Sequence, residues 1–283
     1  MMRSLLYVPA TSERFLAKAA ERGADVLIVD LEDAIPESRK DAARESLAEA
    51  VRLCRRGPSR VFVRINGSTE RERLDVEAAC RAGADGVFVP KIRDATHVLD
   101  IERQIEVNER RRTDRPAMRL ILAIETASAL FEARAIAGAC ARTVGLNCGS
   151  EDISTALGAQ PSPETLYLPK LLVHIAAKAA GVLSIGLLRS VADYRDRDAI
   201  AASASEARRY GFDGATCVHP SVVPDLNAAF APDAAQIRWA RALVAAAKSQ
   251  QATGQGVFVF EGKMVDRPVF RRAETLLAAL SEI

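Results

Sequence analysis

A recurring beat of short apolar runs, each closed by polar or charged residues and followed by a helical pattern, constrains this chain more than any other feature. Runs at 5–9, 26–30, 61–65, 86–90, 119–124, 143–146, 182–185 and 215–218 have strand character. Between them, at 12–22, 38–55, 70–82, 96–110, 127–137, 164–180 and 202–210, apolar residues recur at helical spacing. The run VLIVD at 26–30 is apolar without alternation, which predicts a parallel strand buried on both faces. Gly-Ala-Asp at 23–25 and 83–85, and Gly-Phe-Asp-Gly at 211–214, predict helix-to-strand turns in which glycine ends the helix in the left-handed conformation. Ser12 is placed to cap the first helix. Eight strands alternating with helices favour an α/β fold of the TIM (β/α)8 barrel type over a doubly wound sheet. Neither a GxGxxG turn after the first strand nor a GxxxxGK[ST] loop is present.

A barrel takes about 250 residues, so a chain of 283 has room for one barrel and a short addition. The beat stops after Phe230. An Ala-rich helix carrying Trp239 follows at 232–249, then a polar, glycine-containing linker at 250–256, a short strand at 257–260, a turn at 261–263 and a last helix from about Pro268. The expected division is a barrel, 1–232, and a C-terminal segment of helix, linker, short strand and last helix, 233–283. The tail is too small to be a domain alone, so it packs on the barrel or on another subunit.

Composition narrows the function classes. The 39 Lys and Arg against 37 Asp and Glu leave a net charge of +2, which indicates neither a nucleic-acid binder nor an acidic tail. No apolar run reaches the eighteen or so residues that cross a bilayer, and the apolar stretch at the N-terminus is too short for a signal peptide. Five scattered cysteines without a CxxC pair argue against a disulfide framework or a structural zinc site. The expected location is the reducing cytoplasm.

Chemistry in a barrel sits at the carboxyl ends of its strands. Strand two ends in Asp30-Leu-Glu32-Asp33, strand three in Arg64-Ile-Asn66, strand four in Pro90-Lys91, strand five in Glu125-Thr126, and strand eight in His219-Pro220; strand six runs into Gly149-Ser-Glu151-Asp152. Arg64, Lys91, Glu125 and Asp152 are separated by 27, 34 and 27 residues, about one βα unit each, which gathers them around one mouth. Two carboxylates on adjacent strand ends, Glu125 and Asp152, suit Mg²⁺, which takes one or two protein carboxylates and leaves positions for water and substrate. Arg64 suits a carboxylate or a developing enolate oxygen. Plainer roles compete: Glu32 or Asp33 as helix caps, Lys91 as a loop lysine or ion-pair partner, Asp152 as a helix N-terminal acid, His219 as a packed turn residue, and Cys148 and Cys217 as small core residues.

In order along the chain, RSLLYVPATSERFLAKAAERGADVLIVDLEDAIPESRKDAAR, VRING, VPKI, IETASAL, GSEDISTALG and CVHPSVV resemble the citrate lyase beta-subunit-like, CoA-ester lyase branch of the HpcH/HpaI aldolase superfamily, over nearly the whole length. The resemblance implies a Mg²⁺-dependent carbon–carbon lyase acting on a 3-hydroxyacyl-CoA such as malyl-CoA or citramalyl-CoA, with an oxo acid and acetyl-CoA as products. Two other activities stand beside it: a citryl-thioester lyase subunit of an acyl-carrier complex, and a CoA-independent aldolase of 4-hydroxy-2-oxo acids. It further implies that Glu125 and Asp152 hold the metal, that Arg64 binds substrate, and that Asp33 lies near the metal water. Tyr7 and Lys18 would contact CoA, and His219 and Pro220 would line the pocket. FEGKMVDRP resembles a lid whose aspartate, here Asp266, reaches a neighbouring subunit's active site, which implies a homotrimer or a multiple of three. Two segments depart from the pattern. Tyr167-Leu-Pro169-Lys170 stands where relatives carry an aromatic-Ala-Arg-Ser run, and Ser184-Ile-Gly186-Leu lacks an aspartate after strand seven. GLLRSVADY at 186–194 fits a subset of the family.

Overall fold

The computed structural model describes residues 1–110, 116–188, 194–251 and 257–281. The chain divides into two compact units, Met2–Phe230 and Ala231–Ile283, the latter with Met1. Eight strands build the first unit: β1 (Ser4–Pro9), β2 (Val26–Asp30), β3 (Arg60–Arg64), β4 (Gly86–Val89), β5 (Arg119–Ile124), β6 (Thr143–Cys148), β7 (Leu183–Ile185) and β8 (Ala215–Cys217). Their order in the sheet is β7-β6-β5-β4-β3-β2-β1-β8, so sequence neighbours pair in parallel and β1 meets β8. The remaining seam, between β7 and β8, is held by one bridge, Ile185 to Gly214. Gly186 N–H donates to the Gly214 carbonyl at 2.8 Å, and Asp213 N–H to that of Ser184 at 2.9 Å. The result is the expected TIM (β/α)8 barrel.

Strand β2 shows why its run is apolar throughout. All five residues are buried. Val26 and Ile28 point into the barrel, with Leu5, Phe62, Phe88 and Ile121. Leu27 and Val29 point outward, into the layer shared with the helices. Alternation therefore divides the run between two cores rather than between core and water, and the interior is filled rather than open. Glycine is required where β8 approaches β1: a Cβ at Gly214 would lie 1.9 Å from the Met2 carbonyl oxygen.

The helices are α1 (Glu13–Ala19), α2 (Lys40–Glu45), α3 (Leu47–Cys54), α4 (Thr69–Ala82), α5 (Ala95–Glu109), α6 (Ala127–Ala137), α7 (Ser150–Ala156), α8 (Pro163–Ala180), α9 (Arg197–Tyr210) and α10 (Val223–Phe230). Gly23, Gly83 and Gly211 take the expected left-handed conformation, with φ of 71°, 79° and 97°. Three local expectations are corrected. Ser12 makes no side-chain cap hydrogen bond. The long helix expected over 38–55 is a 3-10 turn, Glu37–Arg39, followed by α2 and α3. The break falls at Ser46, whose hydroxyl donates back to the Ala43 carbonyl at 3.2 Å and competes with the helical ladder. Helix α10 was not foreseen, whereas α7 realises the reading of Asp152 as a helix N-terminal acid.

In the second unit, α11 (Ala234–Gln251) precedes an antiparallel hairpin, β9 (Phe258–Phe260) with β10 (Lys263–Val265), and α12 (Arg267–Ser281). Ala240, Leu243, Val265 and Ala273 form its small core, with Trp239, Phe258 and Phe260 packed against it. Part of the expected linker, 252–256, lies outside the described residues, as do 189–193 of the family-subset segment. Among the described residues no helix is long and apolar enough to cross a membrane.

Candidate active site

Asp30, the last residue of β2, is almost fully buried, and a buried carboxylate must be paired. Its partner is Arg64, at the end of the neighbouring strand β3. Nε of Arg64 donates to Asp30 Oδ1 at 2.7 Å and Nη2 to Oδ2 at 2.6 Å, a two-pronged match of fork to carboxylate. The backbone N–H groups of Glu32 and Ala34 also donate to Asp30, at 2.9 and 3.2 Å, which turns the chain away from the strand. Nη1 of Arg64 reaches Asp33 at 2.9 Å and Glu32 at 3.1 Å. Burial alone would lower the Arg64 pKa, but the hydrogen bonds and charge of Asp30, with Tyr7 and Glu32, outweigh it and raise the value. Cζ of Arg64 lies over the ring of Tyr7, on β1, 4.7 Å from its centre, and Tyr7 meets Phe88 edge-on.

The next two strand ends are coupled through the backbone. Lys91, just past β4, is one of two non-glycine residues with positive φ among the described residues, at 50°. That conformation costs an L-residue about 1 kcal/mol. It aims the Lys91 N–H at Oε2 of Glu125, 2.6 Å away. The Lys91 ammonium turns the other way and donates to Glu32 Oε1 at 2.8 Å. Oε1 of Glu125 accepts no hydrogen bond from the described residues. Gly149 faces that oxygen closely: a Cβ there would sit 2.7 Å from Glu125 Cγ and 2.8 Å from Oε1. Burial, with the charges of Asp152 and Glu32 adding and the Lys91 N–H opposing, pushes the Glu125 carboxyl up to about 8. Glu32 is likewise raised by burial, against the Lys91 and Arg64 charges. Asp152 stands on the first turn of α7.

These side chains surround one cavity of about 540 Å³, lined by Tyr7, Asp33, Arg64, Glu125, Asp152 and Lys170 among others. The structure thus brings Arg64, Asp33, Glu125 and Asp152 together. Other expected contacts stand elsewhere. Lys18 is exposed in the last turn of α1 and does not line the cavity. His219 binds Ser221 through Nδ1 at 2.7 Å, begins a 3-10 turn and stacks on Tyr194 with ring centres 4.4 Å apart. Cys217 and Val218 line the wall in place of His219 and Pro220. Asp266 belongs to the second unit, where its carboxylate caps α12 by accepting from Val269 N–H at 3.2 Å. Sequence reasoning passed over Asp30 as the anchor of Arg64, which the apolar strand ending in a carboxylate signalled; the ion-pair reading of Lys91 is realised at Glu32, and Lys170, read only as part of a segment that departs from the family pattern, lines the cavity.

Among the described residues no three His, Cys, Asp or Glu side chains form a ready-made metal cage. The donor set at Glu125 and Asp152 is instead that of a hard cation completed by water and substrate oxygens. Two carboxylates and a fixed guanidinium lining one cavity at the C-terminal mouth of a (β/α)8 barrel stand where such barrels carry their active sites.

Comparison with known proteins is more particular: the chain belongs to the HpcH/HpaI aldolase/citrate lyase family, whose model matches residues 3–220. It is 33% identical to a (3S)-malyl-CoA thioesterase of Cereibacter sphaeroides strain KD131, over 99% of this chain and 95% of the relative. It is 30% identical to the mitochondrial citramalyl-CoA lyase of Rattus norvegicus, over 99% of this chain and 86% of that one. Among solved structures it resembles CitE of Mycobacterium tuberculosis in complex with magnesium, acetoacetate and coenzyme A. The TM-score is 0.77 and the identity 32%, with 97% of this chain and 96% of that chain covered.

Proposed function

We propose that this protein is a Mg²⁺-dependent carbon–carbon lyase that cleaves, or forms, a 3-hydroxyacyl-CoA such as malyl-CoA or citramalyl-CoA, with an oxo acid and acetyl-CoA as products. The observation that carries the reading is the convergence of Glu125 and Asp152, from adjacent βα units, on a cavity that Arg64 also lines. Magnesium and coenzyme A in the CitE complex support it. The residues present fit the ion. Among the described residues nothing donates to Glu125 Oε1, and Gly149 supplies the room in front of it. A Mg²⁺ ion held by Glu125 and Asp152 would supply Lewis-acid polarisation of the substrate's hydroxyl and carboxylate oxygens.

The reaction removes the hydroxyl proton, breaks the carbon–carbon bond and moves its electron pair onto the thioester as an enolate, whose carbon then takes a proton. Arg64 meets the negative charge, its guanidinium already oriented by Asp30, so no reorganisation is needed as charge develops. Asp33, the exposed partner of Arg64, is the one a substrate anion displaces. The Lys91 N–H holds Oε2 of Glu125 and leaves Oε1 for the ion. Asp266 of a neighbouring chain exchanges the proton with the acetyl carbon, in a homotrimer or a multiple of three. The resemblance of FEGKMVDRP to a lid supports that part.

The test incubates purified protein and Mg²⁺ with malyl-CoA or citramalyl-CoA and follows glyoxylate or pyruvate, with free CoA thiol read in parallel to detect thioester hydrolysis. Oxo acid is expected from the wild-type protein and not from Glu125→Gln. No oxo acid from either thioester, or full activity of Glu125→Gln in chelator, overturns the reading.

A further inference from the structure

A second set of polar side chains surrounds the loop that follows β2, and none of them lines the cavity. Asp75, on α4, is fully buried. Its Oδ2 accepts from the Asn66 backbone N–H at 2.9 Å and from Asn66 Nδ2 at 2.7 Å, and its Oδ1 accepts from Arg44 Nε at 2.6 Å. With its donors turned to Asp75, the Asn66 side chain offers Oδ1 to the other side, where the Lys40 ammonium donates to it. Lys40 and Arg44 stand four residues apart on α2 and so share a face. Lys40 Nζ also donates to the Glu32 carbonyl at 3.1 Å and reaches that of Leu31 at 3.4 Å. These three acceptors are neutral, so the ammonium is aimed at amide dipoles rather than at a carboxylate.

The consequence falls on Glu32. The peptide group joining Leu31 to Glu32 turns its N–H to Asp30 at 2.9 Å and its carbonyl to Lys40. One peptide dipole is thereby held between an anion and a cation. The Glu32 side chain, 5% exposed, then joins the two halves of the site. Its Oε1 accepts from Lys91 Nζ at 2.8 Å, and its Oε2 meets Arg64 Nη1 at 3.1 Å. Lys91 in turn holds Glu125 through its backbone N–H. Asn66 reaches the same lysine by a second limb. Its neighbour Gly67 faces the Lys91 stem so closely that a Cβ there would lie 3.1 Å from Cδ. Successive contacts therefore run from α2 to Glu125, and the ones through Glu32 and Lys91 are charge-assisted hydrogen bonds, which are short and directional.

We propose that Lys40 is a positioning residue: from α2 it fixes the backbone of Glu32, and through the Glu32–Lys91 pair it orients Glu125 toward the ion. The proposal rests on the reading of Glu125 as a metal ligand, and not on which thioester is cleaved.

Calorimetric Mg²⁺ titration tests it without substrate. Lys40→Met keeps the stem and removes the donors. It is expected to weaken Mg²⁺ binding by about 10- to 100-fold, the range for loss of a ligand's support, and Glu32→Gln should weaken it as well. Contiguous contacts alone do not establish coupling, so the double variant carries the decision. If Lys40 acts through Glu32, Lys40→Met with Glu32→Gln loses no more than the worse single variant, whereas independent effects multiply. Val223→Ala, which removes buried volume from α10, weakens the fold with no route to Glu125 and should keep Mg²⁺ affinity within about twofold of wild type. Should Lys40→Met not fold, Lys40→Gln takes its place in the cycle. Mg²⁺ affinity within about twofold of wild type in the Lys40 variant, or losses that multiply in the double variant, overturns the proposal. A wild-type protein that binds no Mg²⁺ refutes the metal reading and the proposal together. One that binds Mg²⁺ with the expected coupling but cleaves neither malyl-CoA nor citramalyl-CoA refutes the lyase reading and upholds the role of Lys40.

Discussion

Replacing Gly149 with alanine tests the geometry around Glu125 with a single methyl group. The backbone accepts it: φ of −67° and ψ of 118° suit any L-residue. The space does not. Ordinary contact begins near 3.4 Å, whereas the new Cβ would stand 2.8 Å from Oε1, so that oxygen must retreat by about 0.6 Å. Glu125 has little freedom to do so, because the Lys91 N–H holds Oε2 at 2.6 Å. Metal–oxygen distances tolerate about 0.2 Å, and disturbing a ligand's supporting shell costs about 10- to 100-fold in metal affinity. Overpacking costs about 1–3 kcal/mol, partly offset by about 0.4–1 kcal/mol from the stiffer unfolded chain. Gly149→Ala is therefore expected to lose about 10- to 100-fold in Mg²⁺ affinity and only about 1–2 kcal/mol of stability. Calorimetric Mg²⁺ titration alongside urea unfolding in chelator separates the two effects. Mg²⁺ affinity within twofold of wild type, in a folded variant, refutes the argument that Gly149 is there to leave Glu125 room.

In chelator, the folded protein holds a proton on Glu125 between the ordinary carboxylate value of 4.5 and about 8, while the unfolded chain does not. Stability should be greatest below that window and fall by up to about 1.4 kcal/mol per pH unit through it. Urea unfolding at pH 5, 6, 7 and 8 reads the slope; Glu125→Gln should flatten it, and an equal slope in that variant removes Glu125 as the cause. Asp30→Asn leaves the Arg64 guanidinium without its two-pronged partner and is expected to cost about 3 kcal/mol, measured as a shift in urea midpoint; a shift equivalent to less than about 0.5 kcal/mol would place Arg64's support elsewhere. Mixing Asp266→Ala with Glu125→Gln, each inactive alone, under subunit exchange should recover lyase activity, since one chain supplies the metal pair and another the aspartate. An active Asp266→Ala protein, or a fully active monomer by light scattering, argues against a shared site.

Much of the barrel was legible because its physics is local in sequence. An apolar run buried on two faces has no alternation, as in VLIVD, and a glycine at a helix end marks the turn into the next strand. The strand ends were legible for the same reason: a carboxylate or guanidinium closing an apolar run has to meet a partner. Which partner it meets depends on residues one or two βα units away, 34 positions for the Asp30–Arg64 fork and 59 for the Glu32–Lys91 pair, so the identity of each partner emerges only in three dimensions. Lys91 is harder still, since no residue preference announces a lysine in the left-handed region. Ser46 breaks a helix whose apolar spacing continues past it, because the competing hydrogen bond is invisible to periodicity. Lys170 lies at a spacing that helical patterns assign equally to a core face or a wet one. His219 pairs with its own near neighbour Ser221 and not with the cavity, a choice that the His-Pro dipeptide does not encode.

The single bridge between β7 and β8 divides the barrel into parts of unequal stiffness. From β2 to β6 every strand pairs with both neighbours over at least three residues, and this arc carries Asp30, Arg64 and Glu125. Across the seam only Ile185 and Gly214 are bridged, yet residues flanking it, Gly186, Leu187, Thr216 and Cys217, also face the cavity. Local opening requires the fewest broken hydrogen bonds there. Amide exchange should therefore be faster at the seam than along the arc. For a lineage that diversifies its acyl groups, the seam is the stave to recut: its residues can change the cavity's outline while the carboxylates and the guanidinium stay in register.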